Sequence, residues 1–93
     1  MVQLFLETPQ EMALGAARRF RVMRQAKRVT IKEVSERSGV PYSSIRRFES
    51  TGEISFLSLV KLTSALEEDA QIDALFAARA PTSIEEVIRE NRR

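Results

Sequence analysis

A single glycine between two short helical patterns, in the stretch TIKEVSERSGVPYSSIRRFES from Thr30 to Ser50, constrains the fold more than any other feature of the chain. Thr30 followed three residues later by Glu33 is a capping box, in which a hydroxyl and a carboxylate satisfy orphan N–H groups at a helix start. Ile31, Val34, Ser35 and Ser38 then share one face. Gly39 stands where that helix must stop and the chain reverse, because a residue without Cβ enters the left-handed conformation at little cost. Val40 is expected to plug the turn. From Pro41 a second helix turns Ile45 and Phe48 inward, which leaves Tyr42, Ser43, Arg46, Arg47 and Ser50 on the opposite arc. That outer arc carries hydrogen-bond donors and no acid.

Small Ser35, then Gly39, then branched Ile45 form a spacing that resembles the bihelical unit of phage-repressor and Cro-type proteins, the XRE family of helix-turn-helix regulators. There the small residue lets two helices cross closely, the glycine makes the turn and the branched residue packs between them. The resemblance covers about Leu14 to Phe76 and implies an all-α, five-helix lambda-repressor-like domain that binds double-stranded DNA. It also implies that Tyr42, Ser43 and Arg47 lie at base edges, with Arg47 suited to a bidentate contact with guanine, while Arg46, offset to the flank, meets phosphate. Ser50, Arg18 and Lys32 complete the DNA-binding candidates. Arg24 matches an arginine that the family often pairs with a glutamate near the end of the recognition helix, here Glu49. On the helical wheel Glu49 lies at the edge of the buried arc, where a carboxylate needs a partner, so Arg24, Glu49 and Gly39 are structural candidates. The chain departs from the family at Ile31, commonly a phosphate-contacting glutamine, and at Ile54, often proline. At Ile31 the helix start can still offer backbone N–H groups to a phosphate.

The net charge of +2 conceals an asymmetry. From Arg18 to Arg47 ten basic residues stand against two acids, whereas from Phe48 onward nine acids stand against five basic residues. Phosphate is therefore attracted to one part of the chain only. The absence of cysteine removes disulfides and thiolate metal sites, and the absence of histidine removes the commonest general base and metal ligand. No phosphate-binding glycine loop or nucleophile motif occurs either, so we expect no enzyme, no metal and no cofactor. Ninety-three residues suit one small domain whose single core is adequate but not generous, and dimerisation would help it. With no leader pattern and no run approaching the roughly 20 apolar residues that span a bilayer, the expected location is cytoplasmic.

In chain order, residues 1–8 are an N-terminal extension in which Met1 to Glu7 suits either a strand that needs a partner or a hydrophobic lead-in. Thr8, Pro9 and Glu11 open helix 1, expected to Gln25 with Met12, Ala16, Phe20 and Met23 on its buried stripe and Arg18, Arg19 and Arg21 on its outer face. Val29 should drop into the core. Ser55 caps a fourth helix with Phe56, Leu59, Val60, Leu62, Thr63 and Leu66 around its buried side; Glu67 to Ala70 breaks it, and Ile72, Leu75 and Phe76 form a short fifth. The domain spans residues 9–79. Residues 80–93 form a tail with an amphipathic pattern at Ile84, Val87 and Ile88, open to packing on its own domain, exchange with a second subunit or docking of a partner. Its Ser-Ile-Glu-Glu-Val-Ile stretch and arginine-rich end resemble the tails of some HipB-like antitoxins.

The expected function is sequence-specific binding of double-stranded DNA by a homodimeric transcriptional regulator of repressor type, with dimer contacts among Leu4, Phe5, Leu6, Ile72, Leu75, Phe76, Ile84 and Ile88. Two alternatives remain open: an antitoxin whose tail binds a toxin while the domain represses their operon, and a helix-turn-helix that binds RNA or serves as a scaffold.

Overall fold

Side-chain hydroxyls set the start of three helices. A computed structural model describes residues 6–78, with α1 (Pro9–Ala26), α2 (Ile31–Ser38), α3 (Tyr42–Thr51), α4 (Phe56–Ala65) and α5 (Asp69–Asp73), and no strand among the described residues. Thr8 and Thr30 each accept the N–H of the glutamate three residues on, and Glu11 and Glu33 each accept the threonine N–H in return. Ser55 Oγ accepts the Ser58 N–H at 3.1 Å. Each hydroxyl satisfies an N–H that the helix itself leaves without a partner.

The first four helices end in left-handed turns. Gly39 and Gly52, with φ of 78° and 85°, close α2 and α3. At the ends of α1 and α4 the same conformation falls on Arg28 and Glu67. There the next residue's N–H returns to the last turn, Val29 to the Arg24 carbonyl and Glu68 to that of Thr63, the pattern of a Schellman cap without its usual glycine. The chain therefore breaks at Leu66 to Glu68 and α5 begins at Asp69, earlier than the expected break at Glu67 to Ala70 allows.

Between α2 and α3 the Ser35 hydroxyl donates to the Val40 carbonyl at 2.7 Å, and the Val40 N–H donates to Ser38 Oγ. These two bonds hold the turn that seats Val40 in the core.

That core comprises Ala17, Phe20, Val29, Val34, Val40, Ile45, Phe48, Leu62 and Leu66. α1 packs on α3, α2 lies against α3 and α4, and α5 touches α4. The Phe20 and Phe48 rings meet edge to face at 5.4 Å, an arrangement that aligns the positive edge of one with the negative face of the other.

The buried stripe of α1 differs from the expected one: Met12 and Ala16 are exposed and Ala17 is fully buried. The reason is the closeness of α1 to the end of α3. A Cβ on Gly52 would lie 2.7 Å from the Ala13 carbonyl carbon and the Leu14 nitrogen, so the α1 backbone meets the end of α3 at Ala13 and Leu14, and Ala17, one turn on, is the small residue buried on this side. Phe56 is likewise outward, 58% exposed, because the Ser55 cap starts α4 so that Leu62, Thr63 and Leu66 take its inner side. Leu75 and Phe76 follow α5 instead of lying in it, and Phe76, at φ 62°, is 93% exposed. Neither closes the core. Leu6 is exposed and Glu7 forms no strand; the remainder of the expected strand, the contacts at Leu4 and Phe5, Arg79 and the tail at 80–93 lie outside the described residues.

Candidate nucleic-acid interface

α3 divides its residues between holding the fold and facing outward. Ile45 and Phe48 are buried, and Glu49 beside them takes Arg24 of α1 in a two-point ion pair: Nε donates to Oε2 at 2.8 Å and Nη2 to Oε1 at 2.9 Å. Nη1 of the same guanidinium donates to the Val29 carbonyl at 2.8 Å. One side chain thus joins α1, the turn after it and α3. The Arg24 and Glu49 side chains are 8% and 7% exposed, so each charge depends on the other for what water no longer supplies.

Tyr42, Ser43, Arg46, Arg47 and Ser50 are all exposed on the other side of α3. The two arginines border different surfaces. Arg46 lines a shallow groove of about 330 Å³ with Arg21, Ile31 and Ser50. The Arg24–Glu49 pair also borders this groove and brings no net charge, so Arg21 and Arg46 make it cationic. Arg47 lies on the opposite flank, in a second groove of about 370 Å³ with Ser44, Glu53, Ser55 and Ser58. Its guanidinium donates through Nη2 to Glu53 of the α3–α4 loop. No helical period links Glu53, in the loop, to α3, so the pair is not written in the sequence.

The remaining candidates are scattered. Of the three arginines on the outer face of α1, Arg21 borders the Arg46 groove, while Arg19 borders an apolar groove on the other flank. Arg18 and Lys32 are exposed, and neither forms an ion pair among the described residues. The Ser50 hydroxyl donates to the Arg47 carbonyl at 3.1 Å, as the Thr51 hydroxyl does at 2.7 Å. In this rotamer Ser50 can accept but has no proton left to give a phosphate.

Three carboxyls sit below the ordinary value of 4.5. Glu11 and Glu33 are held down first by the backbone N–H of Thr8 and Thr30 and then by the threonine hydroxyls. Glu68 is held down by the Gln71 amide and by Lys27 at 3.0 Å. All three belong to helix ends and none to the outward face of α3.

The apolar groove, about 430 Å³, lies where α1, α4 and the segment after it meet, with Met23, Phe56, Leu59, Ile72 and Leu75 among its walls. No helix among the described residues is long and apolar enough to cross a membrane. Compared with known proteins, the chain matches no family model, no curated sequence and no solved structure.

Proposed function

We propose that the chain is a lambda-repressor-like helix-turn-helix protein that binds double-stranded DNA sequence-specifically as a homodimer and regulates transcription by occluding a promoter. The observation that carries this reading is the division within α3: five polar residues face outward while Ile45, Phe48 and the Arg24–Glu49 pair fix the helix from behind. A helix held in this way presents its outer face as a preformed surface of the width a major groove admits. The cationic groove at Arg21 and Arg46 adds a seat for a backbone phosphate on one flank. Arg47, on the other flank, is the base reader, with Ser43 and Tyr42 beside it near the helix start. Arg18 and Lys32 contribute to the field that attracts the duplex.

Selection of bound fragments from random duplex DNA tests the proposal. The expected result is a palindrome whose half-sites lie about 34 Å apart, one helical turn. Arg47→Ala should then cost about 1–3 kcal/mol and relax preference at one base pair, whereas Arg46→Ala should weaken all duplexes alike and lower the salt slope by about one per half-site. Identical behaviour of the two variants over a salt series would remove the assignment, and tighter binding of structured RNA than of any duplex at the same salt would overturn the DNA reading.

A further inference from the structure

We propose that Glu53 is a specificity-determining residue of this face: it holds Arg47 in one posture and keeps the guanidinium from swinging onto a phosphate. The inference rests on the duplex-DNA reading of α3. Glu53 takes a single nitrogen of Arg47, Nη2, unlike Glu49, which takes two of Arg24. A guanidinium has five N–H bonds in a planar fork, so a one-point partner leaves an intact two-hydrogen edge for the N7 and O6 of a guanine. Reading a base is therefore compatible with keeping the pair. Swinging aside to a phosphate breaks it.

The loop is built to keep Glu53 in reach. Its own N–H donates to Thr51 Oγ1 at 3.1 Å, and the Thr51 hydroxyl donates to the Arg47 carbonyl at 2.7 Å. The backbone of Glu53 is thus tied, through one hydroxyl, to the residue whose side chain it holds. Both side chains remain open to water, at 68% and 65% exposure, so the pair is a light restraint that contributes little to folding. Its effect falls on the difference between duplexes. On a duplex with the preferred guanine the pair is retained and the ordering of a long side chain has already been met. On any other duplex Arg47 gains a phosphate only by giving up Glu53.

Glu53→Gln tests this against Glu36→Gln, which removes an exposed acid from α2 at no contact with Arg47. We expect Glu53→Gln to tighten binding to scrambled duplex by up to about fivefold, the range of an exposed ion pair, with cognate affinity unchanged or slightly reduced, so that the cognate-to-scrambled ratio falls. Glu36→Gln should leave the ratio unchanged. A ratio unaltered in Glu53→Gln would show that Glu53 acts only through overall charge and would overturn the inference. Without DNA, the NMR order parameter of the Arg47 Nε–H should drop in Glu53→Gln, and an unchanged value would overturn the restraint whatever the domain binds. If the ordered Arg47 is seen but the wild-type chain binds no duplex, the DNA reading fails and the specificity role fails with it.

Discussion

Gly39 and Gly52 close successive helices with nearly the same torsions, but their surroundings differ. A Cβ on Gly39 would meet nothing within 4 Å, whereas one on Gly52 would strike the α1 backbone at 2.7 Å. Gly39→Ala therefore carries only the left-handed penalty, about 1–2 kcal/mol, and Gly52→Ala adds an overlap that brings the cost to about 2–5 kcal/mol. Urea denaturation of the two variants checks the ranking, and equal losses would contradict it. The sequence around Gly39 announces its role, since a capped helix precedes it and a second pattern follows. Gly52 gives no such sign, because its close neighbour Ala13 belongs to a different helix and only packing brings them together. Arg24 and Glu49 are a second residue-scale case. Replacing either by alanine strands a buried charge and should cost about 3–5 kcal/mol, while Arg24→Met with Glu49→Leu should cost less than either alanine change. A double-mutant cycle by thermal melting that shows simple additivity would count against this coupling.

Helix starts were more legible than helix ends, for a physical reason. Thr8, Thr30 and Ser55 act on N–H groups within three residues, so their partners are written beside them. Arg28 and Glu67 end α1 and α4 in a conformation usually left to glycine, and side-chain identity gave no warning; the burial of Val29 and Leu66 next to them supplies the compensation. The same distance dependence explains α4, whose apolar residues outnumber the places its inner face offers, so that Phe56 and Leu57 turn out. The carboxylates at the helix starts carry a pH signature. Because Glu11, Glu33 and Glu68 are more acidic in the folded chain than at the ordinary 4.5, the unfolded chain takes up protons first as pH falls. Their contribution is complete above about 4.5 and is lost as pH falls through the lower folded values. Thr30→Ala should cost about 1 kcal/mol at neutral pH and flatten this acid loss, as melting curves from pH 6 to pH 3 would register. An acid profile as steep as that of the wild type would separate Glu33 from the effect.

At the scale of the molecule, the groove at Arg46 and the apolar groove are separate surfaces, with Arg19 at the edge of the latter. Arg21, Arg46 and Arg47 border α3, whereas Phe56 and Leu75 border the groove over α1 and α4. In the homodimer we propose, that groove, the most apolar of the grooves described above, is the surface we place at the contact. Phe56→Ser with Leu75→Ser should leave the melting temperature of dilute protein nearly unchanged, since both side chains are already exposed, and should shift sedimentation at micromolar concentration toward the monomer. A dimer undiminished by both changes would place the contact elsewhere. The partition within α3 bears on how the surface can change. Ile45, Phe48 and Glu49 hold the helix, while Tyr42, Ser43, Arg46, Arg47 and Ser50 leave the core untouched. Substitutions among the latter are consequently close to neutral for folding, so a lineage carrying this scaffold can exchange these outward residues one at a time and remain folded at every step.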